Sequence, residues 1–383
     1  MLLLIVGASA RAAAESAGRA GYVVRAIDLF NDRDLQTVCV ESARVDSLND
    51  AALIAETFPV SSFIYTGCLE NCPELIQRIS ATHRLLGNAP KVIARIRDPF
   101  WVQRVAEAQG FRFAASLAVP VLGDGSSWLR KPLLSGAGIG TAMIADEIKT
   151  DLVQSEAGFY YQQFIQGQAI SANFVADQQQ THFLGMNQII TSGDLELHPT
   201  NRFAFRGNFG PLKMDSEISA EFLKIGRALA SAAGLVGLFG IDAILTDDEQ
   251  VTVIEINPRY TASMELIDRS RSISCIDLNV RVCQGEILTD SSIGYCVGSP
   301  HPFLKLIHYQ HDAPELLFDE NFLQRLQQIL GDNDRVSIAD IPGLGTKIKR
   351  GEPICTLLIR GSTMAECLDW IKPLLHKTNS VQE

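Results

Sequence analysis

The sequence predicts a chain of mixed α/β and α+β class: a Rossmann-like parallel α/β domain over residues 1–95, a larger mixed domain over 96–295, and a small β-rich module with a final helix over 296–383. Three observations predict it. Near the N-terminus, short apolar runs alternate with helical stretches through strand-end turns, the pattern of β-α-β units. The stretch GLFGIDAILTDDEQVTVIEINPRYTAS, Gly237–Ser263, reads as two strands joined by an acidic tip. The C-terminal ADIPGLGTKIKRGEPICTLLIRGST has the strand-turn-strand look of a small β module.

Composition bounds the function. With 383 residues, 46% of them hydrophobic and 20% charged, the chain is long enough for two or three buried cores. A net charge of −11 without a Lys/Arg cluster argues against a nucleic-acid partner. No apolar run reaches membrane-spanning length, and Met1–Val6 is too short and lacks the basic start of a signal peptide, so no membrane partner and a cytoplasmic location are expected. Eight cysteines, with no C-x-x-C pair, suit reduced thiols. Cys68 and Cys72 have no second pair nearby to complete a metal site.

The elements follow in order. Leu2–Val6 is a strand, Gly7–Arg11 a turn, the alanine-rich stretch to Ala20 a helix stopped by Gly21, and Val23–Ile27 the second strand. The turn lacks the glycines of a dinucleotide fingerprint, having Ser9 and Ala12 in their places. Ser9 and Arg11, at a strand's carboxyl end, are candidates for a substrate cleft, though a solvated turn would read the same. Ser62–Tyr65 is a third strand leading through Thr66-Gly67 to a helix over Pro73–Thr82. A charged turn and an amphipathic helix fill ARIRDPFWVQRVAEAQG, Ala94–Gly110.

In WLRKPLLSGAGIG, Trp128–Gly140, a strand carrying Lys131 runs into Ser135, Gly136, Gly138 and Gly140. Alternate glycines let backbone N–H groups approach phosphate oxygens, and the lysine adds a point charge. Lys131 precedes the glycines, so this is not a P-loop. Tyr160–Asp177 reads as strand-turn-strand. Arg202, Arg206 and Lys213 then make Met186–Asp215 the most basic stretch of an acidic chain, and with Asn208 it is expected to lie over an acceptor site, unless it is a solvated connection. A helix is predicted over Ser219–Ala233 and another from Thr261 to Arg271, its N-terminus facing the site with Ser263. Lys305–Tyr309 and Val336–Ile338 read as strands and Met364–Leu375 as a helix. His308 and His311 would fall on opposite strand faces and are discounted as a metal pair.

The hairpin carries the chemistry. Asp242 and Glu255 each interrupt an apolar strand, where an isolated carboxylate is costly by several kcal/mol. Asn257 adds a neutral oxygen on the face of Glu255, and Mg²⁺ (or Mn²⁺) is the cation such oxygens suit. Arg259, two residues on, is placed to meet an anion held by the metal.

Asp242, then Glu255, Asn257 and Arg259 in alternation, resembles the metal-binding core of the ATP-grasp superfamily, and IEINPRYTASMEL is similar to its carboligase-like branch, related to biotin carboxylase and the carbamoyl-phosphate synthase large subunit. The resemblance implies an ATP-grasp fold with a pre-ATP-grasp domain over 1–95, a lid over roughly 112–165 and a metal-binding part over 166–295. It implies ATP and Mg²⁺ as cofactors, Asp242, Glu255 and Asn257 as metal ligands, and Arg259 and Lys131 as catalytic groups. Arg97, Lys131 and the Ser135–Gly140 loop would hold phosphates, and Gln163, Phe164, Ile165 and Gln168 the base and ribose, with amides where acids are common. The implied activity is ADP-forming joining of a small-molecule carboxylate to an amine, in the assembly of a one-carbon carrier of tetrahydromethanopterin or methanofuran type, by a homodimer. Bicarbonate-dependent carboligation and ATP binding without turnover are the alternatives.

Overall fold

A computed structural model of the protein describes residues 1–59, 61–120, 126–144, 156–195, 201–213, 215–293, 301–310, 313–330 and 334–370. The expectations for Cys296 and His311, and for the part of the final helix beyond residue 370, lie outside these residues.

The N-terminal domain is a parallel sheet of β1 (Leu2–Val6), β2 (Val23–Asp28), β3 (Glu41–Arg44), β4 (Ser62–Tyr65) and β5 (Arg84–Leu85), in the order β3-β2-β1-β4-β5. Helices α1 (Arg11–Arg19), α2 (Arg33–Val38), α3 (Leu48–Ala55), α4 (Pro73–Ile79) and α5 (Pro90–Ile96) cover it or lead out of it. The central strands β1 and β4 are mostly buried apolar runs because helices lie on both faces, whereas the edge strands β3 and β5 are polar and partly exposed. The strand order reverses beside β1, so the turns after β1 and β4 open side by side at the strands' carboxyl ends, where α/β sheets form clefts.

Helix α6 (Pro99–Gln109), capped by the Asp98 side chain and stopped by Gly110 at φ +69°, leads to the segment expected to be the lid. Of the next strands, β6 (Arg112–Phe113) leaves to pair with the central sheet, while β7 (Ser116–Leu117), β8 (Trp128–Pro132), β9 (Ala142–Met143) and β10 (Phe159–Gln163) form the lid sheet, β7-β10-β8-β9. Next come β11 (Gln168–Ala176), β12 (Thr181–Thr191), β13 (Phe205–Gly210), α7 (Ser216–Ala233), β14 (Gly237–Leu245) and β15 (Val251–Asn257). Helix α7 lays Phe222, Ile225 and Leu229 on the sheet, against a core that includes Phe174, stacked on Phe239 at 5.0 Å. Helices α8 (Met264–Arg271) and α9 (Cys275–Cys283) share a core with α1, locking the two domains together.

Helix α8 begins at Met264, not at Thr261. The Thr261 and Ser263 hydroxyls both donate to Asn173 Oδ1, at 2.7 and 3.1 Å, and such side-chain bonds compete with helix entry.

The C-terminal part holds β16 (Phe303–Tyr309), β17 (Glu315–Phe318), α10 (Glu320–Leu330), β18 (Val336–Ala339), β19 (Thr346–Lys349), β20 (Pro353–Arg360) and a helix from Met364. It is not separate, as composition suggested. Strand β16 pairs with β13, so the central sheet runs β18-β20-β16-β13-β12-β11-β14-β15-β6 without a break. Pairing covers the edge that β13 would otherwise expose. Among the described residues no helix is long and apolar enough to cross a membrane.

Candidate active site

One cleft of about 840 Å³ lies between the N-terminal domain, the lid sheet and the central sheet. Asp242 on β14 and Glu255 on β15 are register partners in its wall, with Ser171 of β11 opposite Asp242. The register slips just past Asp242, and such an irregularity re-aims side chains beside a site. Burial, and then repulsion by Glu255, pushes the Asp242 carboxyl up to about 6. Burial would also raise Glu255, but Arg97 and Lys131 outweigh it and hold that carboxyl below its usual range. Asn257 donates through Nδ2 to Asp242 Oδ2 at 2.9 Å and accepts from Arg259 at Oδ1, at 3.2 Å.

These residues fit a divalent cation, because two opposed, repelling carboxylates and an amide offer hard oxygen donors and carry the charge that a cation neutralises. Among the described residues no group of three or more His, Cys, Asp or Glu side chains is placed to hold a metal. A magnesium ion that keeps waters and nucleotide oxygens needs only the smaller set present here.

Cations face these acids. Lys131 Nζ donates to Gln162 Oε1 at 3.0 Å, and Gln162 is held by its own bonds to Ile254 O and Ser116 Oγ. Arg97 is ion-paired with Glu255 and donates to Ser135 O at 2.8 Å and to Asn71 Oδ1 at 3.2 Å, so it joins β15, the loop after β8 and the N-terminal domain. Arg259 Nε donates to Glu70 Oε1 at 2.7 Å. In the lid loop, Gly138 has φ +71°, and a Cβ there would lie 2.0 Å from Phe203 O, so only glycine fits.

A sequence-family model for the ATP-grasp domain matches residues 112–263, which hold the lid strands, Asp242 and Glu255. The chain carries an ATP-grasp domain. The fold of the whole chain agrees: an N5-carboxyaminoimidazole ribonucleotide synthetase in its ADP complex is 16% identical, covers 100% of this chain and 98% of its own, and superposes with a TM-score of 0.69. An N5-carboxyaminoimidazole synthase from Aspergillus clavatus, in complex with ADP and 5-aminoimidazole ribonucleotide, is 16% identical over 99% and 98% of the two chains, with a TM-score of 0.68. The biotin carboxylase domain of a 2-oxoglutarate carboxylase from Hydrogenobacter thermophilus, with MgADP and bicarbonate, is 14% identical over 96% and 88%, with a TM-score of 0.70. No curated protein sequence matches the chain.

In this ATP-grasp cleft the residues expected to meet ATP largely converge. Arg97, Lys131, Ser135, Gly136 and Gly138 line it, as do Gln163, Phe164, Ile165 and Gln168. Two details differ. Gly140 is not part of the lining; it packs on Pro132, where a Cβ would come to 2.8 Å from Cγ. The backbone N–H groups of Gln163 and Phe164 already donate to Ala115 O and Ser127 O, because the hinge is also the end of the lid sheet.

Of the substrate candidates, Ser9, Arg202, Asn208 and Ser263 line the cleft, and Arg11 and Arg206 do not. Arg11 is fully buried, ion-paired with Glu265 and Asp340. The turn before it is short, so α1 carries the guanidinium behind the cleft wall and into the joint with α8. Arg206 donates to Ser192 Oγ at 2.8 Å and lies 4.2 Å over the Tyr309 ring; the β12–β13 register slips beside it, between the pairs Ile190–Gly207 and Thr191–Phe205, and such an irregularity re-aims the side chain that alternation would put with Asn208.

Three functional candidates escaped sequence reasoning. Lys305 of β16 lines the cleft and donates to Glu265 Oε2 at 2.7 Å. A lysine inside the apolar run FLKLIHY was the available signal, of the kind that revealed Asp242. Gln162 is one more neutral amide in YYQQFIQGQ, and nothing in that string marks its bond to Lys131. Glu70 follows a strand-end turn and had no signal in the sequence.

Proposed function

We propose that the protein is an ADP-forming ATP-grasp ligase that activates a carboxylate as an acyl phosphate and joins it to an amine. A carboxylate oxygen attacks the γ-phosphorus of ATP and ADP leaves; the amine then attacks the acyl carbon, phosphate leaves, and the amine gives up a proton. Asp242, Glu255 and Asn257 would hold the cation, which supplies charge neutralisation at the phosphates. Lys131 and the Gly136–Gly138 turn would orient the phosphates, and Arg259 would stabilise charge that develops on the group in flight. The convergence of the acid pair, Lys131, Arg97 and Arg259 on one cleft is the observation that carries this reading.

A second reading has support of its own: the whole-chain likeness includes a biotin carboxylase domain with bicarbonate and synthases of a carboxyamino compound, which favours bicarbonate as the carboxylate. Amide formation in a one-carbon carrier pathway rests on the sequence resemblance, and a homodimer is the assembly proposed. Phosphate release with Mg–ATP, screened across carboxylic acids, amino acids and amines with and without bicarbonate, tests both. ADP is the expected nucleotide product. AMP from any active pair overturns the mechanism, and turnover strictly dependent on bicarbonate selects the second reading.

A further inference from the structure

Arg259 reaches the cleft from the turn just after β15 of the central sheet, yet the carboxylate that pairs with it comes from the N-terminal domain. Its Nε donates to Glu70 Oε1 at 2.7 Å, and the Glu70 side chain is 1% exposed. Its other anchors are Tyr260 O and Asn257 Oδ1, each at 3.2 Å. A guanidinium has five N–H donors. These three bonds leave one N–H on each terminal nitrogen to meet an anion in the cleft.

The backbone is held from the same side. The carbonyl of Pro258 accepts from Tyr65 Oη at 2.8 Å and from Asn88 Nδ2 at 3.2 Å. Gly67, in the turn after β4, lies beside the guanidinium: a Cβ there would be in ordinary contact with Arg259 Cζ, at 3.7 Å. Glu70 also compensates two like charges: it favours the charged forms of both Arg259 and Arg97, which repel each other. An amide in its place could accept one hydrogen bond but could not offset that repulsion.

We infer that Glu70 is a positioning residue: through its carboxylate the N-terminal domain sets the orientation of Arg259, so the charge acting on the transferred phosphoryl group is assembled across two domains. The catalytic meaning rests on the ligase reading above, whereas the positioning itself is measurable without any substrate.

The test uses the full-length chain with Glu70→Gln and Glu70→Asp. Phenylglyoxal modification of Arg259 is followed by peptide mass spectrometry, with exposed Arg227 as the reagent control. Faster modification of Arg259 in Glu70→Gln, with Arg227 unchanged, is expected, and Glu70→Asp should fall between that variant and wild type. With an active substrate pair, the single-turnover rate of Glu70→Gln should drop by about 10²-fold, the scale of a misplaced catalytic group, while ATP affinity by calorimetry holds. Wild-type Arg259 reactivity in Glu70→Gln overturns the inference. So does lost ATP affinity with a normal rate at saturating ATP. If Glu70→Gln does not fold, Glu70→Asp decides alone, and wild-type reactivity there overturns the inference. If no substrate pair yields ADP, the ligase reading fails, and the modification arm still separates that failure from this one.

Discussion

Replacing Arg11 by Met separates two roles for one residue: a substrate contact, as its place after β1 suggests, and a joint between domains, as its contacts show. The side chain is fully buried. It is ion-paired with Glu265 of α8 and donates to both oxygens of Asp340, from Nε at 2.9 Å and from a terminal nitrogen at 3.1 Å. Removing one partner of a buried ion pair costs about 3–5 kcal/mol, because the other charge is left uncompensated. Glu265 keeps Lys305 at 2.7 Å and Arg269 at 3.1 Å, and the Asp340 side chain is 25% exposed, which points to the lower end, about 3 kcal/mol. Urea unfolding reads this as a lower midpoint with an unchanged slope. Arg11→Met with Asp340→Asn should recover part of the loss, since the two sites are in contact and not additive. Acid supplies a sign check. Arg11 and Lys305 outweigh burial and hold the Glu265 carboxyl well below its usual range, so its contribution is present above about pH 4.3, the unfolded value, and is lost as pH falls below it. Arg11→Met should show less of that acid loss. A wild-type urea midpoint together with lost second-substrate affinity would refute the joint and restore the substrate role.

Three further outcomes are expected. Lys131→Met should weaken ATP binding by calorimetry while the circular dichroism spectrum stays native, since Nζ bonds to Gln162 and the residue lines the cleft; unchanged affinity would remove Lys131 from the site. Arg259→Ala should lower kcat by about 10²–10³ with ATP affinity retained, the scale for one preorganised charge contact, whereas Glu255→Gln should weaken Mg–ATP binding and slow chemistry together; an Arg259→Ala protein that loses ATP binding but transfers phosphate normally at saturation would make Arg259 a ground-state ligand. Burial, with Asp340 and Asp28 nearby, pushes the Asp32 carboxyl up to about 8, so the folded state holds a proton that the unfolded state releases and stability falls as pH rises from about 4 to about 8; Asp32→Asn should remove that part of the slope in urea titrations, and an unaltered slope would show that Asp32 is not buried as described.

The hairpin was legible from sequence because its exceptions were local: an acid inside an apolar strand stands out against its neighbours, and alternation puts Glu255 and Asn257 on one face. The N-terminal strands and helices were legible for the same reason, since period and turn residues are properties of short windows. Sequence reading also singled out Lys131, Gly136 and Gly138, which line the cleft, whereas Gly140, expected with them, does not. Tertiary structure alone decided which charges face the cleft. Arg11 and Arg206 look as free as Arg259 along the chain, but their partners Asp340 and Tyr309 lie 329 and 103 residues away. Glu70 and Lys305 enter the site through contacts 189 and 40 residues distant, set by how the segment after β4 meets the turn after β15 and how β16 joins the sheet. A side chain's pattern along the chain reveals whether it can be buried, but the charge it meets there is set by packing between segments that the local sequence does not encode.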